Sequence, residues 1–184
     1  MRTTLSLFST FVFLLLLGYS CSEEQDFDQF DDLSITPAVA SSIFSLEADE
    51  AFINTITTVN TFYTQTFIFE AFSEQFVADR LIEGTITYDF ENTTSKPLNI
   101  IVEFLDEGGN VLDFENFNIN AGPNETLTRN VAYGPNGKPL DILINTASIR
   151  VTGRNLGDSV SVSPEPDAKV TMKSAAEFIF ELAE

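Results

Sequence analysis

The 184-residue sequence holds one thiol, Cys21, no histidine and no tryptophan, against 28 Asp and Glu. Ser-His-Asp and Cys-His nucleophilic sites cannot be assembled from such a set, and zinc loses both of its preferred ligand types. Carboxylate chemistry remains, for example the two acids of glycoside hydrolysis, which stand about 5 to 9.5 Å apart across a cleft. Nearly all the acids, however, fall in turns or in the polar phase of strand patterns, where a solvated face is the expected outcome. No catalytic residue, cofactor or metal site is therefore assigned. Asp106, Glu107 and Asn110 offer oxygen ligands to calcium, but their spacing is not that of an EF-hand, and a solvated hairpin tip is the expectation.

Cys21 is positioned by what precedes it. Arg2 and the free amine make a positive start, Leu5 to Leu17 is an apolar run, and small residues follow, the layout of an export signal over residues 1–20. The run is shorter than the roughly 20 apolar residues needed to span a bilayer. Leu14-Leu15-Leu16-Leu17-Gly18-Tyr19-Ser20-Cys21 resembles the lipobox of bacterial lipoproteins, in which the cysteine is acylated and becomes the new N-terminus. It departs from that pattern at Gly18, where a branched aliphatic is usual, and Gly18-Tyr19-Ser20 also fits the small-x-small site of ordinary secretion. A lipidated Cys21 is the expectation, since one leftover cysteine is what lipidation predicts. Residues 21–34 then form an acidic tether; Ser22-Glu23-Glu24-Gln25-Asp26-Phe27-Asp28 resembles the surface-export signal on lipoproteins of Bacteroidetes-type bacteria.

The remaining chain, 35–184, is one domain's worth. The net charge of −19 repels nucleic acid and anionic head groups, because binding to either depends on Lys and Arg neutralising phosphates. No nucleic-acid partner is expected.

Within that body the apolar periodicity is two. Val39, Ile43, Phe44 and Leu46 predict a first strand, residues 49–64 a loop with a short strand, and Thr64–Ala71 a further strand. Phe72 and Phe76 predict one helical turn capping the core. Ile82, Ile86, Tyr88 and Phe90 alternate with Glu83, Thr85, Thr87, Asp89 and Glu91, a half-buried strand. Leu98, Ile100, Val102 and Phe104 resume the inward phase after Asn92-Thr93-Thr94-Ser95-Lys96-Pro97, a turn by composition. Leu112 and Phe114 are even while Phe117 and Ile119 are odd, which predicts a β-bulge near Glu115-Asn116. Strands follow at Leu127–Tyr133 and Ala147–Gly153, the latter with Arg150 and Arg154 facing acidic neighbours, and Leu140–Asn145 is strand or short helix. The chain closes on a long structural strand from Val170 to Leu182.

Short strands at about ten-residue spacing, punctuated by Gly, Pro, Asn and Asp, predict an all-β fold, a single β-sandwich of Ig-like, Greek-key type. The chain as a whole resembles small outer-membrane lipoproteins of flavobacterial (Bacteroidetes) type, through the acidic run after Cys21, Asp26 to Gln29, Thr36-Pro37, Val102 to Asp106 and Lys173 to Ala175. The resemblance implies a place and a fold: lipid anchoring in the outer membrane, at the cell surface or on the periplasmic side.

Asp158-Ser159-Val160 resembles the O-glycosylation sequence of such bacteria and nominates Ser159, with a plain turn as the alternative. Asn92-Thr93-Thr94 and Asn124-Glu125-Thr126 match the N-glycosylation sequon, read as chance. Three functions fit: a non-enzymatic structural or protein-interaction role in the envelope, the default; a glycan- or small-ligand-binding surface protein, with Tyr63 or Tyr133 as the sugar platform; and a carboxylate-based hydrolase.

Overall fold

A computed structural model describes residues 36–57, 60–123 and 125–181. Cys21, the leader and the tether lie outside these residues, as does Asn124. Eight strands are formed: β1 (Ala38–Asp49), β2 (Thr61–Ile68), β3 (Leu81–Asn92), β4 (Leu98–Leu105), β5 (Val111–Ile119), β6 (Glu125–Tyr133), β7 (Ser148–Asn155) and β8 (Lys169–Phe180). Three short helices join them: α1 (Glu50–Thr55), α2 (Gln75–Ala78) and α3 (Leu140–Ile144). No helix among the described residues is long and apolar enough to cross a membrane.

The strands form two four-stranded antiparallel sheets, ordered β1-β8-β3-β6 and β2-β7-β4-β5. The predicted β-sandwich of Greek keys is thus present. Its strand order is that of a jelly roll, two Greek keys folded together, in place of the immunoglobulin arrangement expected within that class. The reason is β8: it returns to lie between β1 and β3, so the two ends of the body are neighbours in one sheet. That position explains its alternation, with Val170, Met172, Ser174, Ala176 and Phe178 buried between the layers.

The core is aromatic. Phe72 meets Phe178 edge-on at 5.0 Å and Phe69 at 6.0 Å, while Phe117 packs on Phe90 at 4.7 Å and on Tyr88 at 5.1 Å. Such pairs stabilise beyond the area they bury, and the described residues have no disulfide to assist them.

Local departures from the expected pattern have physical causes. Asp49 sits in extended backbone before Glu50, and the supposed loop after it begins with α1, whose Glu50 and Ile53 are buried. β2 begins at Thr61, three residues earlier than the periodicity implied. Phe72 is buried as expected, but Phe76 is exposed and lies under the guanidinium of Arg80, 3.6 Å from ring centroid to Cζ. Leu140–Ile144 resolves as helix. Arg150 donates to Glu103 at 2.7 Å, as the acidic neighbours implied, whereas Arg154 stands opposite Asn99 and Thr61 and makes no ion pair among the described residues.

The expected bulge at Glu115-Asn116 is absent. Pairing of β4 with β5 runs unbroken from Leu98↔Ile119 to Phe104↔Asp113, and the extra residue is Leu112, nearer the hairpin. The apolar phase changes for another reason: Asp113 and Glu115 point between the sheets, while Leu112 and Phe114 point out.

Candidate functional site

Three places gather polar chemistry, and each is built by a different part of the topology. The first is the β5/β6 edge. Asp113 and Glu115 are alternate residues of β5 on its inward face, and Lys138 reaches them from beyond β6. The chain turns back there: the Gly134 amide donates to Lys138 O at 2.8 Å, and the Lys138 amide to Ala132 O at 2.9 Å. Gly134 has φ 113°, a region that L side chains rarely adopt. Gly137 passes so close to β6 that a Cβ would lie 2.0 Å from Ala132 O.

That turn delivers the Lys138 ammonium to 2.5 Å from Asp113 Oδ2 and 2.6 Å from Glu115 Oε1. Arg129 adds a contact to Glu115 Oε2 at 3.3 Å and lies over the Phe117 ring at 4.3 Å. Burial alone depresses the Lys138 pKa, but the hydrogen bonds and charges of Asp113 and Glu115 reverse this and leave it raised. The Tyr88 and Tyr133 hydroxyls are buried with no protein partner. Burial, and then the neighbouring negative charge, push both phenols well above their ordinary value.

Chemically this cluster is a tie between the layers. Both carboxylates point at one ammonium, and neither lines the groove described below. An edge strand with charges turned inward also resists pairing with another chain.

The second place is a latch at the end of the sandwich where β3 turns into β4. Asn92, wholly buried, donates from Nδ2 to Lys96 O at 2.9 Å and Asn120 O at 2.8 Å, and its Oδ1 accepts from the Thr94 amide and hydroxyl. Glu50 reaches in from α1: Oε1 accepts from the Ser95 amide at 2.7 Å and hydroxyl at 2.5 Å, and Oε2 from the Ser163 amide at 2.8 Å. Lys96 is buried to its tip, donating to Asp158 Oδ1 at 2.8 Å and Ser161 O at 2.7 Å. The segment read as a turn is thus a buried hub. Its sequon residue Asn92 offers no exposed amide for a sugar.

Ser159 lies in the loop this hub holds, half-buried between two committed neighbours. The Asp158 carboxylate accepts from the Val160 and Ser161 amides and the Ser161 hydroxyl as well as from Lys96. Asp106 is likewise committed: Oδ1 accepts from the Asn110 amide at 2.8 Å and Oδ2 from its side chain at 2.9 Å, closing the β4–β5 hairpin tip. Tyr133, nominated as a sugar platform, is fully buried, and Tyr63 is half-buried with its hydroxyl donating to Gln65. No group of three or more metal-ligating side chains occurs among the described residues.

The third place is an open groove of about 810 Å³ at the opposite end from the latch, between the end of β2, the β4–β5 hairpin and the segment after α3. Ile68, Phe69, Phe72, Leu112 and Ile144 supply its apolar wall, and Glu70, Asp106 and Glu107 its charged rim. Ile68 is 78 % exposed, and Leu112 continues along β5 to Phe114, 58 % exposed. The alternation of β5 named these residues without revealing which way they face.

No family model and no curated protein matches the sequence. Among solved structures, the chain is similar to the VP2 subviral particle of infectious bursal disease virus (8 % identity, TM-score 0.39), covering 82 % of this chain and 33 % of that one. It is also similar to the enzymatically active domain of tailspike protein 4 of bacteriophage CBA120 (14 % identity, TM-score 0.35, 88 % of this chain and 21 % of that). A third is the Glycosylation Associate Protein complex of Streptococcus agalactiae (11 %, TM-score 0.36, 76 % and 44 %). The chain spans about a third of the first of these, and none carries a function to it.

Proposed function

We propose that this chain is a lipid-anchored cell-envelope protein, held in the outer membrane through Cys21, whose sandwich has a non-enzymatic role in contacting another envelope protein. The observation that carries the interaction role is the open end of the sandwich, where Ile68 and Leu112 stand exposed on the wall of the groove and Phe114 beside it. Exposed apolar surface that continues into a groove, rimmed by polar residues, marks contact sites in soluble proteins. The opposite end also carries exposed apolar side chains, Leu156, Val160 and Val162, in the loop held by the hub around Lys96; the groove end is preferred because its exposed residues continue into a concave wall. A lipid anchor on Cys21 and the acidic tether behind it fit a module displayed away from a membrane.

The hydrolase reading has less support: among the groove's own acids Asp106 is committed to Asn110 at the hairpin tip, and Asp113 and Glu115 share Lys138 apart from the groove. The glycan reading loses Tyr133 to the core. Photo-crosslinking from residue 112 in native cells tests the interaction role: a discrete partner band is expected at Leu112 and none from Thr126 on β6. Equal, diffuse labelling at both positions would sink it. With the probe kept at residue 112, Phe114→Asp should abolish the band while leaving stability within about 0.5 kcal/mol, as surface substitutions generally do.

A further inference from the structure

The four edge strands of the sandwich are guarded unequally. β5 turns Asp113 and Glu115 inward and β6 carries Glu125 and Arg129, the kind of charge placement that discourages strand addition. β2, Thr61-Phe62-Tyr63-Thr64-Gln65-Thr66-Phe67-Ile68, has no charged residue, no proline and no glycine. β1 has no charge from Ala38 to Leu46. Phe44 of β1 stacks on Phe67 of β2 at 5.2 Å, so these two unguarded edges lie on the same side of the sandwich. Thr64, Gln65 and Thr66 are exposed.

The middle of β2 reads nearly the same in both directions: aromatic, Thr, Gln, Thr, aromatic. A two-fold axis through Gln65 therefore makes an isologous contact. It sets Gln65 against Gln65 of the copy, Thr64 against Thr66 and Tyr63 against Phe67. Over Tyr63–Phe67 residue parity is preserved, so inward side chains meet inward ones; the register shift at Phe62 ends that stretch. Aromatic pairs and Thr pairs directly opposite are among those that stabilise antiparallel strands, whereas like charges opposite each other destabilise them. Self-pairing of β5 about Phe114 would place Asp113 against Glu115 of the copy. In a chain of net charge −19, β2 lets two copies join without setting carboxylate against carboxylate.

We propose that β2 is a homodimerisation edge: two copies pair antiparallel through β2 about Gln65, continuing the β2-β7-β4-β5 sheet across the axis. The partner at this edge is a second copy of the chain, and the edge meets the groove only at Ile68, the last residue of β2.

The test uses the full chain with Gln65→Cys under mild oxidation. Residues directly opposite in an antiparallel pair have Cα atoms about 4.5 or 5.5 Å apart, inside the roughly 4.4 to 6.8 Å that a disulfide accepts. A reducible species of twice the monomer's mass is expected, formed at least tenfold faster than with Thr126→Cys on the β6 edge. The wild type, with Cys21 alone, is the blank. Gln65→Lys, which opposes two ammonium groups at the axis, should convert the sedimenting dimer to monomer with an unchanged circular dichroism spectrum. A wild type that sediments as monomer at tens of micromolar, or crosslinking no faster than the β6 control, overturns the proposal.

Discussion

Lys138 places its ammonium 2.6 Å from the Glu115 carboxylate, joining the turn after β6 in one sheet to β5 in the other. The hydrogen-bond ladders hold each sheet together but not the two sheets to one another at this edge, so the ion cluster stands where apolar side chains do the joining elsewhere.

Removing Lys138 leaves Glu115, which is buried, facing Asp113 with only Arg129 to offset the charge. Breaking a buried pair costs about 3 to 5 kcal/mol, and the third of Lys138 still open to water reduces this. Lys138→Met should lower unfolding free energy by about 1 to 3 kcal/mol in urea at pH 7. Because the folded pKa of Lys138 is raised, its contribution is complete below the ordinary lysine value and fades as pH rises through the folded one. A loss under half a kcal/mol would mean the cluster is ornamental.

Gly137→Ala should do more harm than the loss of the ion pair. Its Cβ would strike the Ala132 carbonyl and the Tyr133 amide, which are backbone and cannot swing aside, so the turn that delivers Lys138 must move. Amide exchange should report faster opening in β6 than in β8.

Ser174 sits in the apolar phase of β8 with its hydroxyl buried and unpaired. Ser174→Ala keeps the volume and removes the unsatisfied group, so a gain of about 1 kcal/mol is expected. A loss of stability in calorimetry would show that the hydroxyl has a partner, such as an ordered water.

At the latch, burial alone raises the Glu50 pKa, but the Ser95 hydroxyl, the Ser163 and Ser95 amides and the Lys96 charge outweigh it and leave it lowered. Lys96 first, then the Ser161 hydroxyl and the Ser161 and Val160 amides, hold Asp158 far below the usual carboxylate range. Groups with depressed folded pKa values stabilise fully above their unfolded values, and the contribution is lost as pH falls through the folded ones. The thermal midpoint should hold from pH 7 to about 5 and fall below about pH 4. Glu50→Gln should flatten part of that fall; an unaltered slope would remove Glu50 from this role.

The sandwich was legible because strand periodicity and turn composition are local, and β3, β4, β7 and β8 follow them closely. The strand order was not, since it depends on β8 finding a place between β1 and β3, a pairing of residues far apart in sequence. At β5, the even-to-odd change of apolar residues was read as an extra residue. In fact the strand stays regular and exchanges apolar for acidic residues on its inward face, which becomes tolerable only once the distant Lys138 folds back onto it. The hub at Asn92 was missed for a related reason: a polar run reads as solvated, and only the arrival of Glu50 and Ser163 from elsewhere buries it. The groove and its exposed Ile68 had no sequence signal, because burial is set by neighbours across the sheet.

Intact mass and membrane fractionation of the natively expressed protein, beside a Cys21→Ala variant, test the proposed role most directly. A mature chain beginning at Cys21 with acyl mass added, found in the outer-membrane fraction and lost from it in the variant, is the predicted result. An unacylated protein in the soluble fraction, indifferent to the substitution, would contradict the anchor and with it the envelope role.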